Sequence, residues 1–383
     1  MMEKLKVGLI GIGYIGCAHV TAIRRCSNAV LYGVADTNRE LLARKKDELG
    51  LERVYDDVEM LIEDPEIDVI HDCTPNHMHL ELNKKIIRAG KHIFSEKPVA
   101  ASAEESAELL DVLKEYPDTV AGVNHNYRMN VMVQDMKHRV AAGEIGTPRL
   151  VYGSYLLDWL LYDTDYDWRL EKKYAGASRA VADIGTHWMD TAQTVVGSKI
   201  TEVFASLETA LPVRKRPVKN PETQALTYEE YEIDTEDYGA VFARFASGAF
   251  GLFHVSQISP GKKCHLDLTV DGASASLYWN QEEADRLWVG HREKGNEYIF
   301  RDPKMLPAEA LPYTYMPAGH PEGWNDAVYN NIHAFYSYIL DGKKRAHDTP
   351  DFATFEECHY LNRLTEAILK SSRTKQWIRL AEE

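Results

Sequence analysis

The chain has 383 residues and a formal net charge of −15 at pH 7, with 44% hydrophobic and 27% charged residues. This length favours two domains over one, and the acidic balance argues against binding to nucleic acids or anionic membranes, which require a basic surface. The cysteines are scattered and form no C-x-x-C pair, which is typical of free thiols in a reducing compartment. The chain shows no signal-peptide pattern and no apolar run long enough to cross a bilayer, so we expect a cytoplasmic protein.

The first third of the chain alternates short apolar runs with helical patterns, which is typical of a parallel sheet with crossover helices. The helix ends carry cap signals: Asn38 and Gly50 flank one helix, and Ser102 with Glu105 forms a capping box at another. This rhythm changes after position 124, so residues 1–124 are predicted to form the first domain. The predicted strands are Lys6–Ile10, Val30–Ala35, Val69–Asp72, His92–Ser95 and Val120–Val123.

Residues 125–383 are predicted to form a second domain of a different kind. From Thr201 to Val289 apolar and polar residues alternate, with turn signals at Ser247–Gly248 and Asp271–Gly272, which is typical of an antiparallel sheet. Apolar periodicity predicts helices elsewhere, and Pro-rich polar composition predicts surface loops. The helices are Val131–Ala142, Asn325–Leu340 and Phe352–Lys370, and the loops are Pro212–Thr227 and Asp302–Pro321.

A glycine-rich turn follows the first predicted strand and opens the first predicted helix. Such a turn offers N–H groups at the positive end of a helix dipole, and its glycines let a pyrophosphate approach the backbone. Asp36 ends the second strand 20 positions after Gly16, where a carboxylate accepts from the ribose 2′-OH of NAD and repels the 2′-phosphate of NADP. We therefore expect NAD, with NADP the less favoured cofactor. The predicted cofactor-binding residues of the turn are Gly11, Ile12, Gly13, Tyr14, Ile15 and Gly16.

Two further segments, Thr74–His79 and Glu96–Pro98, follow strands of the predicted parallel sheet, at the edge where ligands bind. Lys97 stands between Glu96 and Pro98, and the proline restricts the lysine to extended conformations that fix where its ammonium points. The alternative for Lys97 is an ordinary surface lysine, and the alternative for Thr74–His79 is an ordinary turn with a helix cap. The nearby histidines lack the spacing of metal ligands, so no metal is predicted. The predicted cofactor-binding residues are Thr74, Pro75, Asn76, His79, Glu96 and Lys97.

In the second domain, Asp183 and His187 are four residues apart and therefore share a face of a predicted helix. The imidazole can accept a proton near neutral pH, and the carboxylate can orient the ring or contact substrate. The alternative is an N-cap aspartate with a buried, hydrogen-bonded histidine. An upstream cluster of aromatic, acidic and basic side chains suits either a sugar or a buried interface. Its predicted substrate-binding members are Asp158, Trp159, Trp168 and Arg169.

A dinucleotide site, a lysine and a histidine are what a hydride-transfer enzyme needs to oxidise an alcohol. Together, the motifs resemble the glucose–fructose oxidoreductase/inositol dehydrogenase (Gfo/Idh/MocA) family over essentially the whole chain. That family has a Gly-rich turn, a Thr-Pro-Asn-x-x-His segment, a Glu-Lys-Pro strand end and an Asp-x-Gly-x-His helix. In this chain they read Gly11–Gly16, Thr74–His79, Glu96–Pro98 and Asp183–His187.

The resemblance implies an α/β protein: an N-terminal Rossmann domain with a doubly wound parallel sheet, and a C-terminal α/β domain with an open, mainly antiparallel sheet. It implies hydride transfer to nicotinamide from a secondary hydroxyl of a sugar, glycoside or cyclic polyol. Lys97 would contact the reacting hydroxyl and the cofactor ribose, Asp183 would bind substrate, and His187 would be the acid/base. An exposed sheet face implies a homodimer or homotetramer. The residues expected on that face are Phe242, Phe250, Leu252 and Tyr278.

Two other functions remain open at this stage. One is redox-neutral glycoside cleavage, in which a tightly bound NAD oxidises the sugar and later re-reduces it. The other is a non-catalytic dinucleotide or sugar sensor on the same fold. The presence of Lys97, Asp183 and His187 together argues against the sensor.

Overall fold

The computed structural model describes residues 4–381 and divides them into two compact units. The first contains the chain up to Asn130 together with Trp324–Tyr360. The second contains Val131–Gly323 and the chain from Leu361 onward. The sequence analysis placed one boundary after residue 124, because nothing in its local patterns indicates that a later segment belongs with the first unit.

The secondary structure follows the alternation predicted for the first part and the strand-rich pattern predicted for the second. The strands are β1 (Leu5–Ile10), β2 (Ala29–Ala35), β3 (Val54–Tyr55), β4 (Val69–Asp72), β5 (His92–Ser95), β6 (Ala121–Val123), β7 (Leu150–Leu156), β8 (Ile200–Glu208), β9 (Val213–Lys219), β10 (Leu226–Glu232), β11 (Tyr238–Phe245), β12 (Phe250–Ser256), β13 (His265–Asp271), β14 (Ala275–Asn280), β15 (Arg286–His291), β16 (Glu297–Phe300), β17 (Ala353–Thr354) and β18 (Ile378–Arg379). The α-helices are α1 (Tyr14–Arg25), α2 (Arg39–Leu49), α3 (Val58–Glu63), α4 (Asn76–Arg88), α5 (Ala103–Glu115), α6 (Val131–Ala141), α7 (Lys172–Ala175), α8 (Thr186–Val196), α9 (Trp324–Leu340) and α10 (Phe355–Thr374).

The first unit is built on a sheet with the strand order β17-β6-β5-β4-β1-β2-β3. Its neighbouring strands are parallel except for β17, which runs antiparallel to β6. Successive residues of β1 enter different cores: Leu9 packs in a core with Ile332 of α9, and Ile10 packs in a core with Ile86 of α4. Because helices cover both faces, the doubly wound Rossmann sheet is confirmed.

The second unit is built on a sheet with the order β16-β15-β14-β13-β7-β12-β11-β8-β18. Among the described residues, its neighbouring strands pair antiparallel except for β7 with β12, which confirms an open, mainly antiparallel sheet. Trp188 of α8 lies on one face, where its ring stacks on Phe253 with centroids 4.4 Å apart. The Trp188 indole donates to the carbonyl oxygen of Asp267 at 3.0 Å, so the buried ring keeps its hydrogen bond.

The opposite face of this sheet carries a row of mostly apolar and aromatic side chains that runs across its strands. Phe242 and Leu252 are exposed by 38% and 40%, and Tyr152 by 40%. The strand register confirms that the sequence analysis chose the outward residues of these strands correctly. The members of the row are Phe204, Phe242, Leu252, Tyr152, Thr269, Tyr278, Trp288 and Tyr298.

The helix caps predicted from sequence are present in the first unit. The Asn38 side chain accepts from the backbone N–H of Leu41 at 3.0 Å, and Gly50 ends α2 with φ of 57°. The Ser102 hydroxyl accepts from the N–H of Glu105 at 3.1 Å. The Glu105 carboxylate reaches one residue further back than in a standard capping box, to the N–H of Ala101 at 2.8 Å.

Two predictions from sequence are wrong. The segment Pro212–Thr227 is not a loop, because it contains β9 and the start of β10, which pair with each other. Most of their side chains are exposed, so the alternation of apolar and polar residues that marks a strand is missing. The last helix begins at Phe355 rather than Phe352, because Ala353 and Thr354 extend the first sheet as β17.

Within residues 4–381, no helix is both long enough and apolar enough to cross a lipid bilayer.

We predict that acid destabilises the first unit through its buried neutral histidines. Burial, helped by the charges of Arg128 and Lys97, lowers the pKa of His125 to about 3. Below about pH 6.5 this histidine therefore binds a proton in the unfolded chain but not in the folded chain. The free energy of unfolding falls as the pH falls. From urea unfolding, His125→Gln should lose about 2 kcal/mol less than the unmodified protein between pH 7.5 and pH 5.

The exposed His320 provides the matched control for this measurement. His320→Gln should leave the pH dependence of the free energy of unfolding unchanged. An equal pH dependence in His125→Gln and the unmodified protein would contradict the prediction.

Candidate active site

The glycine-rich turn joins β1 to α1, and its backbone geometry requires glycine at two positions. Gly11 has φ of +90°, and a Cβ there would lie 2.7 Å from the carbonyl oxygen of Cys73. A Cβ on Gly16 would lie 2.0 Å from the carbonyl oxygen of Gly11. At Gly13 a Cβ would meet nothing within 4 Å, and no side chain or first-turn acid caps α1. This open helix N-terminus fits a pyrophosphate.

Asp36 follows β2 and is tied directly to this turn. One carboxylate oxygen accepts from the backbone N–H of Ile12 at 2.8 Å, and the other accepts from the N–H of Asn38 at 2.7 Å. The half-buried carboxylate therefore lies beside the glycine-rich turn. This is the position from which an acidic residue can hydrogen-bond the adenosine ribose, and that contact stays a prediction.

The Thr74–His79 segment follows β4 and opens α4, for which Pro75 is the N-cap residue. Asp72 accepts from both the backbone N–H and the hydroxyl of Thr74, at 3.0 and 2.6 Å. His79 is fully buried, and its two ring nitrogens lie 2.7 Å from the carbonyl oxygen of Thr74 and 2.6 Å from that of Pro98. His79 thus links this turn to the Glu-Lys-Pro segment, while the cofactor contact of His79 stays a prediction.

Glu96 and Lys97 follow β5, at the same carboxyl edge of the sheet. Glu96 is buried, and Lys97 is half-buried. Burial alone would raise the pKa of Glu96, but hydrogen bonds from His19 and Asn124 and the charge of Lys97 outweigh it and lower that pKa. The segment therefore presents a buried carboxylate next to a half-buried lysine.

Asp183 and His187 lie on consecutive but different helical turns of the second unit. Asp183 belongs to a π-turn over Val181–Gly185, in which the N–H of Thr186 donates to the carbonyl oxygen of Val181. His187 follows in α8 and is only 8% exposed. The spacing predicted a regular helix at both positions; the wider π-turn is a feature that frequently marks functional sites.

The aromatic cluster comes together around Arg169. Its guanidinium lies 4.4 Å from the ring centre of Trp168 and 5.8 Å from that of Trp159. Its Nε lies 3.4 Å from Oδ1 of Asp183. The structure therefore brings Trp159, Trp168 and Asp183 together around Arg169, and their contact with substrate stays a prediction.

Asp158 faces other partners than this cluster. Its carboxylate pairs with the ammonium of Lys263 and accepts from the backbone N–H of Gly261 at 3.1 Å. The hydrogen bond from Lys263 lowers the pKa of Asp158 below its usual range. The substrate contact predicted for Asp158 stays a prediction, and its observed partners lie in a loop after β12.

Sequence reasoning missed the residues that hold Asp183 in place. The Gln257 amide donates to Oδ2 of Asp183 at 2.9 Å and accepts from the guanidinium of Arg179 at 3.1 Å. Arg179 is paired with the fully buried Asp237, which also binds Arg214 at 2.7 Å. These partners are 23 to 78 residues apart in sequence, so no spacing rule could have indicated them.

Residues 4–381 contain no group of three or more His, Cys, Asp or Glu side chains arranged to hold a metal ion.

Two family models match the chain. Residues 5–125 match the "Oxidoreductase family, NAD-binding Rossmann fold", and residues 133–278 match the "GFO/IDH/MocA C-terminal domain". The chain is 30% identical to levoglucosan dehydrogenase of Pseudarthrobacter phenanthrenivorans over 98% of both proteins. The chain belongs to the Gfo/Idh/MocA oxidoreductase family.

Further relatives place this Gfo/Idh/MocA protein among sugar and polyol dehydrogenases. A solved structure of levoglucosan dehydrogenase with NADH and levoglucosan aligns over 100% of both chains, with 28% identity and a TM-score of 0.88. Myo-inositol 2-dehydrogenase of Thermotoga maritima is 28% identical over 66% of this chain and 69% of its own. The family prediction, the NAD cofactor and the oxidoreductase class are thereby confirmed.

We predict that the Asp36 carboxylate makes this family member prefer NAD over NADP. Asp36→Asn keeps an oxygen that can accept from the Ile12 N–H but removes the charge that repels a 2′-phosphate. The ratio of kcat/KM for NAD to that for NADP should fall on the order of tenfold, which corresponds to about 1.4 kcal/mol.

Arg39, which opens α2 and is exposed, provides the opposite control. Arg39→Ala should lower the use of NADP and leave that of NAD unchanged, because only the 2′-phosphate would attract the guanidinium. Equal kcat/KM for the two cofactors in the unmodified protein would rule the prediction out.

Proposed function

We propose that this protein oxidises a secondary hydroxyl of an uncharged, ring-locked sugar of the levoglucosan type, with NAD as hydride acceptor. Support comes from the relative named levoglucosan dehydrogenase, which matches over the full length. The substrate cluster adds a physical argument against sugar phosphates. Arg169 lies 3.2 Å from Asp167 and 3.4 Å from Asp183, so its charge is already balanced by carboxylates and is poorly suited to a phosphate.

The half-exposed indoles of the cluster suit the same class of substrate. Trp159 is 37% exposed, and Trp168 stacks near the Arg169 guanidinium. An indole face can cover the C–H face of a pyranose, while Asp183 accepts hydrogen bonds from sugar hydroxyls. A neutral ring with several secondary hydroxyls therefore matches the chemistry of these side chains.

In the proposed reaction each catalytic residue has one task. His187 takes the proton of the reacting hydroxyl, Lys97 stabilises the negative charge that develops on its oxygen, and Asp183 binds a neighbouring hydroxyl. When bound, NAD supplies the hydride-accepting carbon. Gln257 keeps the Asp183 carboxylate oriented through its 2.9 Å hydrogen bond.

The single observation that carries this proposal is the full-length match to levoglucosan dehydrogenase. It is tested by following NADH formation with levoglucosan, inositols, glucose and glucose 6-phosphate. We expect kcat/KM for levoglucosan to exceed that for glucose 6-phosphate by at least tenfold, about 1.4 kcal/mol. Lys97→Ala and His187→Ala should each lower kcat on the order of 10²-fold, because they act on charge formed in the transition state. Asp183→Asn should mainly raise KM.

The exposed Lys304 and His320 supply matched controls for the lysine and histidine variants. Lys304→Ala and His320→Ala should retain the unmodified turnover, and NAD affinity should be measured separately for every variant. Normal turnover in both Lys97→Ala and His187→Ala would refute the assigned roles. Sugar release without added NAD would favour redox-neutral glycoside cleavage, and sugar binding without turnover would favour a sensor.

The assembly proposal is a homodimer or homotetramer formed through the outer face of the nine-stranded sheet of the second unit. Phe204, Phe242, Phe250 and Trp377 form a ring cluster on this face, with neighbouring centroids 5.8 to 6.4 Å apart. An exposed apolar surface of this kind usually has a protein partner.

We predict that light scattering gives a multiple of 43.5 kDa for the unmodified protein. Leu252→Glu should lower the mass to that of the monomer, because it places a charge in the centre of the proposed interface. Met305→Glu is the control, since Met305 is 73% exposed and lies in the loop after β16, outside the strands that carry this row. A monomeric unmodified protein at micromolar concentration would contradict the proposal.

A further inference from the structure

Two buried arginines of the second unit bind the same oxygen of one buried carboxylate. Nη2 of Arg214 lies 2.7 Å from Oδ1 of Asp237, and Nη2 of Arg179 pairs with that oxygen as well. Neither the guanidinium groups nor the carboxylate have any exposed side-chain surface. Nη1 of Arg179 donates to Oε1 of Gln257 at 3.1 Å. These four residues, Arg214, Asp237, Arg179 and Gln257, are called the hub below.

The hub holds both backbone polar groups of Leu160, the residue next to Trp159. Nη1 of Arg214 donates to the carbonyl oxygens of Leu160 and Tyr162, each at 3.0 Å. The backbone N–H of Leu160 donates to the carbonyl oxygen of Gln257 at 3.1 Å. The contacts therefore form a closed circuit, which leaves Leu160 at its carbonyl oxygen, passes through the hub and returns to Leu160 at its N–H.

The hub also fixes the hydrogen-bonding role of the Asp183 carboxylate. A guanidinium carries donors only, so Gln257 must turn its amide oxygen toward Arg179 and its NH₂ group toward Asp183. Nε2 of Gln257 donates to Oδ2 of Asp183 at 2.9 Å. Because a flipped amide would lose both hydrogen bonds, this oxygen of Asp183 stays an acceptor in one place.

The polar hairpin of β9 and β10 contributes Arg214 and supports the loop that follows β7. The backbone N–H of Lys215 donates to the carbonyl oxygen of Asp163 at 2.7 Å, and the Lys215 ammonium pairs with the Asp163 carboxylate at 2.6 Å. A two-stranded hairpin alone is only marginally stable in water, so this hairpin depends on its contacts with the rest of the unit. These contacts join it to the loop that carries Trp159.

We propose that Arg214, Asp237 and Arg179 are positioning residues, which hold the backbone beside Trp159 and the Asp183 carboxylate at one separation for the substrate. The substrate contacts of Trp159 and Asp183 in this statement rest on the proposed function. A sugar that stacks on the indole while one of its hydroxyls donates to Asp183 needs both groups in register with one ring. Holding them in place before binding lowers the cost of ordering them.

The first test follows backbone amide hydrogen exchange in the full-length protein, without sugar or NAD. Arg214→Met removes the guanidinium and keeps an unbranched apolar stem. Exchange should become faster, on the order of tenfold, in the two segments 157–164 and 180–187. The second segment is connected to Arg214 through Asp237, Arg179 and Gln257, so its response reports on the hub. Exchange in β14 and β15 should stay the same, which separates this effect from a general loss of stability.

Lys215→Met is the matched control, because Lys215 is the next residue of β9 and binds the same loop outside the hub. It should leave exchange in the segment 180–187 unchanged. Arg214→Lys is a milder variant for the case in which Arg214→Met does not fold. It keeps a charge for Asp237 but lacks the planar fork that binds several acceptors at once. It should speed exchange in the same two segments by smaller factors.

Sugar binding gives the second readout. In Arg214→Met the KM for levoglucosan should rise on the order of tenfold while kcat changes by less than about twofold, since contacts shared by the ground state and the transition state are weakened. The affinity for NADH, measured by fluorescence titration, should stay the same. Lys215→Met should retain the KM of the unmodified protein.

Unchanged exchange in the segment 180–187 in the folded Arg214 variants, or an equal change in Lys215→Met, would overturn the inference. An unchanged KM for levoglucosan in an Arg214 variant with faster exchange would overturn it as well. Failure of the proposed function gives a different result, because the unmodified protein would then oxidise no sugar of the panel. That outcome would refute the substrate contacts, and the exchange data alone would decide whether the hub positions the two segments.

Discussion

The constraint that every buried charge must have partners shapes the functional part of the second unit. Asp237 has no exposed surface, and it accepts from both Arg179 and Arg214. Burial alone would raise the pKa of Asp237, but the two guanidinium groups outweigh it and lower that pKa. Removing one partner from such an arrangement typically costs about 3–5 kcal/mol, because an uncompensated charge remains buried. The cluster therefore has little freedom to rearrange.

Backbone hydrogen bonds connect this cluster to Asp183, the candidate substrate-binding residue. The neighbouring Glu236 accepts from the N–H groups of Arg179 and Val181, at 2.9 and 3.0 Å. These two residues lie at the start of the π-turn that carries Asp183, and Arg179 also holds Gln257. The π-turn is therefore held at its N-terminal end by the buried carboxylate of Glu236. The Gln257 amide holds the carboxylate of Asp183. An irregular helical turn of this kind persists because its surroundings determine it.

Local chemistry explains which features were predictable from sequence. Asn38, Gly50 and Ser102 act on backbone groups within four residues of themselves, so their roles can be predicted from a short stretch of sequence. The strands of the parallel sheet were predictable because they are buried on both faces and appear as continuous apolar runs. The glycine-rich turn was predictable because its function depends on backbone geometry alone.

The features that were missed depend on partners distant in sequence. Strand β7 pairs in parallel with β12, about 100 residues later, and the polar hairpin of β9 and β10 has no apolar face. Gln257 resembles any strand-end glutamine until Arg179 and Asp183 are seen on either side of it.

The buried carboxylates and the aromatic cluster differ in how freely their neighbours can be substituted. Glu96 and Asp183 are each held by buried partners, so substitutions that disturb those partners disturb these carboxylates as well. Trp159 and Trp168, in contrast, lie near the half-exposed Arg169, whose Nε is 3.4 Å from Asp183. Their rings can be exchanged for others without unpairing a buried charge. If the proposed function holds, such an arrangement would let the reaction be kept while the sugar that fits against the aromatic cluster changes.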